Sequence, residues 1–405
     1  MSVETITLGC RLNFAETETI RRKLEAAGAR DVTVINSCAV TNEAVRTTRQ
    51  HIRKARKARP DARLLVTGCA AQVESDALAA MPEVDGLIGN ADKLDLDRLL
   101  GKTDTCVSDV MTSRKATVAA GNSGKVRSFV SVQTGCDHRC TFCTIPYGRG
   151  NSVSLPYDEV RQAVAGELDG GAHEIVVTGV DITSYDRDGM RLGDLLQRLL
   201  ADEPRLRRLR LSSLDSIEMD GALFELLSGD PRLLPHFHLS LQAGDDMILK
   251  RMKRRHSRAQ AVRIVERLKA ARPEVTIGAD IIAGFPTETD AMFANSLALI
   301  EDCDIVAAHI FPFSPRDRTP AARMPQVDRA LIKARAARLR ERAAAHRQQW
   351  LESQVGTMQP VLIENHGRGH TDGFAPIAIA GTVRGDYGEA MVTDADDKGL
   401  TGEFQ

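Results

Sequence analysis

Cys136, Cys140 and Cys143 stand in one short run, Gly-Cys136-Asp-His-Arg-Cys140-Thr-Phe-Cys143. A chain with this run must bring three thiols together on a single loop. Thiolates are the usual protein ligands of iron–sulfur clusters. Three of them hold three irons of a four-iron cube and leave the fourth open to a reactant. The competing reading is zinc. Structural zinc takes four ligands, usually as two close pairs, and no second pair follows downstream. His138 offers a fourth ligand but sits inside the loop, where its reach is poor.

Three more cysteines follow predicted strands directly: Thr-Leu-Gly-Cys10, Val-Ile-Asn-Ser-Cys38 and Val-Thr-Gly-Cys69. In an open parallel sheet the carboxyl ends of the strands share one edge, and ligands bind there. Small neighbours, Gly9, Ser37 and Gly68, leave room for a bulky inorganic group. The plain alternative is three buried thiols, since cysteine is a common small core residue. Recurrence at three strand ends points instead to a second three-thiolate site. Cys106 and Cys303 lack such a setting and read as linker or core thiols.

The fold class is α/β. Short apolar runs at Thr5–Leu8, Val32–Ile35, Leu64–Thr67 and Gly86–Ile88 alternate with helical patterns, which implies an open parallel sheet. Residues 101–125 read as a linker. A longer alternation follows, with strands expected at Phe129–Gln133, Ile175–Thr178, Leu209–Ser212, His238–Leu241, Thr276–Ile282 and Ala307–Phe311. That pattern suits a partial or complete (β/α) barrel. From Val355 onward, glycine and short β-prone runs read as a small all-β module. The expected domains are 1–120, including the start of the linker, 121–350 and 351–405.

At 405 residues the chain is long enough for two or three such domains. No apolar run approaches the ~20 residues of a membrane span, and no signal-peptide pattern opens the sequence. The expected compartment is the cytosol, where disulfides are rare, so eight cysteines point to metal or redox chemistry. Net charge is −1, yet residues 46–59 carry seven Lys/Arg and no acid, and 250–272 carry ten with one acid. Residues 329–349 add seven more with one acid. Such runs are solvated helix faces or contacts to a phosphate backbone.

Taken together, these motifs resemble the methylthiotransferases of the radical S-adenosylmethionine superfamily, over nearly the whole chain. The run through Cys136, Cys140 and Cys143 resembles the superfamily signature. Thr7-Leu-Gly-Cys10-Arg-Leu-Asn13, Asn36-Ser-Cys38-Ala-Val-Thr41 and Thr67-Gly-Cys69-Ala-Ala-Gln72 resemble the cysteine motifs of the family's N-terminal domain. His238-Leu-Ser-Leu-Gln242-Ala-Gly244 and Asp280-Ile-Ile-Ala-Gly284-Phe-Pro286-Thr-Glu288-Thr resemble its barrel motifs, and the end resembles its small RNA-binding TRAM domain. Gly9–Asn13 and the segment from His309 to Met324 are most similar to the branch that modifies N6-threonylcarbamoyladenosine in tRNA. Other branches modify isopentenyladenosine in tRNA or an aspartate of a ribosomal protein. A non-catalytic, cluster-bearing RNA-binding protein is the remaining alternative, though two open sites argue against it. The chain departs from the family at Leu214-Asp215, where Ile-Glu is usual, and at Thr287, where glycine is usual.

The resemblance implies two 4Fe-4S clusters, on Cys10, Cys38 and Cys69 and on Cys136, Cys140 and Cys143, with S-adenosylmethionine at the second. It implies cofactor contacts from Phe142, Thr178, Gly179, Ser212, Asp215 and Gln242. The substrate would be tRNA, with Arg149, Arg316 and Arg318 as candidates for a substrate carboxylate or phosphate. Arg251, Lys253, Arg254 and Arg255 are candidates for tRNA phosphates or a solvated face. Electrons would come from a donor such as a flavodoxin or ferredoxin; the sulfur donor is not specified. No membrane partner is expected.

Overall fold

The computed structural model describes residues 3–101, 105–113, 115–122 and 124–405. The first unit is a five-stranded parallel sheet in sequential order, Glu4–Thr7, Val32–Ser37, Arg63–Gly68, Gly86–Ile88 and Thr105–Cys106. The middle strands are buried on both faces but for Arg63, with apolar cores at Val34–Ile35 and Leu64–Val66 and polar residues toward their carboxyl ends. Helices Arg11–Ala26 and Asn42–Ala58 carry the chain between them, the second capped by Thr41 Oγ1, which accepts from the Ala44 N–H at 3.1 Å. The linker expected at 101–125 supplies more order than its composition suggested: Thr105–Cys106 extends this sheet, and Ala120–Gly121 pairs with the next one.

The second unit is an open barrel. Strands Arg127–Ser131, Glu174–Thr178 and Leu209–Leu211 form one parallel set, and His236–Gln242, Thr276–Ala283 and Ile305–Pro312 form another. A parallel bridge between Leu214 and Leu239 joins them. The main apolar core lies between these strands and helices such as Tyr157–Asp169, Leu192–Asp202 and Arg258–Ala271. The last of these begins at a capping box between Ser257 and Gln260. Thr287 adopts φ 68 despite its β-branch. The next residue explains it: Glu288 accepts from the Gly284 N–H at 3.1 Å and from buried Arg335 at 2.9 Å, so the turn is fixed from both sides.

Helix Arg329–Ser353 leads to a closed five-stranded barrel built from Met358–Asn365, Arg368–Thr371, Pro376–Ile379, Gly399–Phe404 and Tyr387–Asp396. This module plugs the base of the large barrel. Phe374 stacks between His236 and His370, with centroids at 5.0 and 4.6 Å, beneath the guanidinium of Arg210. Fully buried Glu174 gathers Arg127, Arg208 and Arg210 at the same joint, and Arg210 donates to the Thr371 and Asp372 carbonyls. The opposite end, where the strands terminate at their carboxyl ends, holds the cysteines. No helix among the described residues is long and apolar enough to cross a membrane.

Candidate active site

The N-terminal thiols converge because three strand ends do. Cys10 caps helix Arg11–Ala26, Cys38 follows the second strand, and Cys69 opens helix Cys69–Val73. Gly9 has φ 102, and a Cβ there would lie 3.1 Å from the Cys38 sulfur. Gly68 has φ 94, and its Cβ would lie 2.4 Å from Asn36 Oδ1. Both positions therefore demand glycine twice, by backbone angle and by space. Asn13 stitches the loops: its amide donates to the Leu8 and Ser37 carbonyls at 2.7 and 3.0 Å, and its Oδ1 lies 3.6 Å from Cys10 Sγ. Ser37 Oγ accepts from the Ala70 and Ala71 N–H groups, which fixes the helix that carries Cys69. Burial, then the neighbouring Cys69 and Cys10, pushes the Cys38 thiol up to about 11.

Arg149 has a different task from the one its sequence position suggested. It is buried, and its guanidinium makes a two-pronged contact with Glu16 at 2.8 and 2.9 Å and donates to Asn13 Oδ1 at 2.6 Å. Lys93 pairs with the same carboxylate and donates to Asn90 Oδ1 at 2.7 Å. Asn90 in turn donates to Cys69 Sγ at 3.7 Å and to the Gly148 carbonyl. Burial alone would push the Glu16 carboxyl up, but Arg149 and Lys93 hold it at about 2. The Arg149 charge is thus spent on joining the barrel to the first sheet, beside the thiols. Arg316 is likewise buried and taken, by Asn42 and by Glu74 at 3.1 Å. Arg318 remains exposed.

The barrel thiols are held by their own loop. The His138 N–H donates to Cys136 Sγ and the Ile145 N–H to Cys143 Sγ, both at 3.4 Å. The Arg254 guanidinium lies 3.6 Å from Cys140 Sγ and 2.8 Å from Asp215. Arg254 is therefore largely buried against the thiols and is not a surface contact for phosphates. Burial and the Asp181 carboxylate raise the Cys136 thiol. Burial, then Cys140 and more weakly Cys69, pushes the Cys143 thiol up to about 12. The His138 imidazole faces carboxylates, Glu218 at 2.9 Å, Asp181 at 3.2 Å and Asp215 at 3.6 Å. Each sulfur thus has an N–H or cation beside it, the setting of a metal-binding thiolate, and the raised thiols would ionise on binding a metal. The shorter Asp215 still delivers its carboxylate to Arg254.

The triads face one another across helix Ile145–Arg149. A Cβ on Gly148 would lie 3.5 Å from the Cys69 Cβ. Beside this helix opens a cavity of about 280 Å³, lined by Val40 and Thr41 from the first unit and by Phe142, Gln242, Asp280 and Phe311 from the barrel; Phe142 is the chain neighbour of Cys143, and among the described residues no cysteine lines the cavity. A second, of about 410 Å³, lies behind Arg149, Glu16 and Lys93, likewise without a cysteine in its lining. Phe142 packs edge-on to Phe285 at 6.5 Å. Gln242 holds φ 68, a strained setting for a non-glycine residue at a cavity wall. Thr178 is buried at its strand end. Gly179 packs so closely that a Cβ would meet the Gln133 carbonyl at 2.8 Å. Ser213 lines the cavity, whereas Ser212 is its half-buried neighbour. Sequence reasoning missed Glu16, Lys93 and Arg254 in these roles, because each acts through a partner distant in sequence.

The chain matches the Radical SAM superfamily over residues 130–300 and the uncharacterized protein family UPF0004 over residues 2–89. It is 45% identical to the threonylcarbamoyladenosine tRNA methylthiotransferase MtaB of Rickettsia prowazekii, covering 93% of this chain and 91% of that protein. It is 32% identical to the tRNA-2-methylthio-N(6)-dimethylallyladenosine synthase of Cereibacter sphaeroides, covering 98% and 97%. Among solved structures, the radical S-adenosylmethionine methyltransferase TsrM from Kitasatospora setae shares the fold, with a TM-score of 0.58 at 13% identity over 89% of this chain and 78% of that one. Two thiol triads on neighbouring units and likeness over almost the full length lead to one conclusion: the chain belongs to the radical S-adenosylmethionine tRNA methylthiotransferases, transferases that work with iron–sulfur clusters and S-adenosylmethionine.

Proposed function

We propose that this transferase adds a methylthio group to C2 of an adenosine that already carries threonylcarbamoyl at N6, next to the tRNA anticodon. The observation that carries this reading is the 45% identity, over 93% of the chain, to a relative named for that substrate. Cys136, Cys140 and Cys143 would hold one 4Fe-4S cluster and Cys10, Cys38 and Cys69 the other. When bound, the first would supply the electron that splits S-adenosylmethionine and so the means to break a C–H bond, and the second would hold or supply the sulfur.

The chain's own residues position the reactants and exclude water. Phe142 and Phe311 wall the cavity, and Val40 and Thr41 close it from the first unit. Gln242, Ser213 and Ser240 line the same space and offer an amide and hydroxyls to the cofactor or base. Asp215 orients Arg254 and, through it, the Cys140 sulfur. Thr178 and Gly179 shape the strand end beside the cluster loop. Among the exposed arginines, Arg318 is available to tRNA. The electron donor is a small flavodoxin- or ferredoxin-type protein, and residues 1–120, 121–350 and 351–405 act as sulfur-handling, radical and RNA-binding domains.

A second reading, an isopentenyl substrate, draws support from Phe142, Ile282, Phe311 and Phe313, the apolar lining of the cavity. Turnover of two tRNAs, one with each prior N6 modification, separates the readings. Methylthiolation of the threonylcarbamoyl form is expected; turnover of the isopentenyl form alone would overturn the assignment.

A further inference from the structure

The cavity walled by Phe142, Phe311, Val40 and Thr41 contains no lysine or arginine among its described lining residues. The arginines that sequence position offered for an anionic substituent do not fill the gap: Arg149 and Arg316 are buried in joints between units. One lining residue does lead to a polar group. Asp280, on the central strand Thr276–Ala283, accepts through Oδ1 from His238 at 2.9 Å and from His309 Nδ1 at 3.2 Å. Burial alone would raise the Asp280 carboxyl, but the two imidazoles draw it well below the usual carboxylate range.

The two histidines are not equivalent. His238 is mostly buried, and its ring rests where a Cβ on Gly278 would come within 2.6 Å of Nδ1. The His309 side chain is 62% exposed. Its ring packs on that of His238 at a tilt of 36°, with centroids 4.7 Å apart. His309 sits two residues before Phe311 on strand Ile305–Pro312, so both side chains project from the same face. Phe311 lines the cavity. With Nδ1 on Asp280, the outer Nε2 has no partner among the described residues and is left to meet a ligand. An imidazole whose inner nitrogen is held by a carboxylate can present an outer N–H as a hydrogen-bond donor to an incoming anion.

We propose that His309, oriented by Asp280, is the specificity-determining group that binds the carboxylate of the N6 substituent. This rests on the threonylcarbamoyl reading above. It explains how a largely apolar cavity accepts an anionic substituent, through one oriented imidazole in place of an arginine. Asp280 is a positioning residue in this scheme.

The test measures binding of three anticodon stem-loops to the cluster-loaded protein by fluorescence anisotropy. They carry threonylcarbamoyladenosine, isopentenyladenosine or plain adenosine at the modified position. Wild type should prefer the threonylcarbamoyl loop over the plain one. His309→Ala should lose that preference by about tenfold or more, since a hydrogen bond to a charged group is removed. His309→Gln, a neutral donor of similar reach, should keep part of it. Melting temperature and iron content of both variants report folding, and the Gln variant decides should the Ala variant fail to fold. Full preference retained in the folded variants, with wild type still favouring the threonylcarbamoyl loop, overturns the role of His309 alone. A wild type that favours the isopentenyl loop overturns the substrate reading and this inference with it.

Discussion

The two thiol triads reach similar arrangements by opposite routes. Cys136, Cys140 and Cys143 belong to one loop, and two of their sulfurs accept N–H groups from that same segment. Cys10, Cys38 and Cys69 come from three strand ends and depend on Gly9, Gly68, Asn13 and Ser37 to meet. Even Arg149, whose charge acts on Cys10 and Cys38, arrives from the other unit. A local site survives disturbance elsewhere in the fold, whereas a convergent site inherits every weakness of its scaffold. The same contrast separates the arginines. Arg254 lies on the barrel's own thiol at Cys140, while Arg149 holds two units together.

The largest expected effect comes from breaking each triad in turn. Cys140→Ala should abolish reductive cleavage of S-adenosylmethionine, and Cys38→Ala should preserve cleavage but stop methylthiolation. Each variant should lose about half the iron, roughly four of eight atoms per chain. Iron analysis with cofactor-cleavage and product assays on both variants checks this, and full methylthio product from Cys38→Ala would remove the second triad from the reaction.

Next in size is the joint. Arg149→Ala leaves Glu16 buried with Lys93 as its remaining cation, so a loss of about 3 kcal/mol is expected, the low end for a broken buried pair. The iron held by the N-terminal triad should fall with it, while the barrel triad keeps its share. The pH dependence carries its own signature. Glu16 in the folded protein titrates at about 2, below its ordinary 4.5. Its contribution is therefore full above about pH 4.5 and is lost as pH falls toward about 2, a window worth about 3 kcal/mol. Between pH 6 and pH 3.5, urea unfolding should show a loss of about 1.4 kcal/mol from this carboxylate in wild type and less in Arg149→Ala, where Lys93 alone holds it; identical pH slopes would break the account of the joint.

The smallest effect sharpens the electrostatic half of the comparison. Arg254→Ala removes a cation from the Cys140 sulfur, and reduction of a cluster there adds negative charge. The midpoint potential should fall by about 60 mV, the equivalent of about 1.4 kcal/mol for one electron. A redox titration followed by electron paramagnetic resonance, in a Cys38→Ala background that isolates the barrel cluster, measures it. An unmoved potential would reduce Arg254 to a packing role.

Much of the architecture was legible because it is periodic. The strand expected at Gly86–Ile88 is present with those limits, and the others shift by a residue or two at their ends. The segment 101–125 was harder, because strands as short as Thr105–Cys106 and Ala120–Gly121 carry too few residues for a pattern. The basic runs were only partly legible for a related reason. Charge is countable in a sequence, but its partner is not. Of the cations in 46–59, Arg49 meets Glu74, Arg56 meets Asp85, and Arg59 bonds Thr33. In 329–349, Arg335 is buried on Glu288 and Arg342 pairs with Glu301.

By itself the sequence determined which residues carry thiols, that three of them end strands, and that the chain alternates strand and helix before a β-rich close. These follow from covalent spacing and from local periodicity, which need no partner. The tertiary structure alone decided what the charged residues do. Arg149 meets Glu16 across 133 positions of chain and Arg316 meets Glu74 across 242. His309 gains its orientation from an aspartate on the adjacent strand. A buried charge is stable only beside its counter-ion, and which counter-ion that is depends on how distant segments pack.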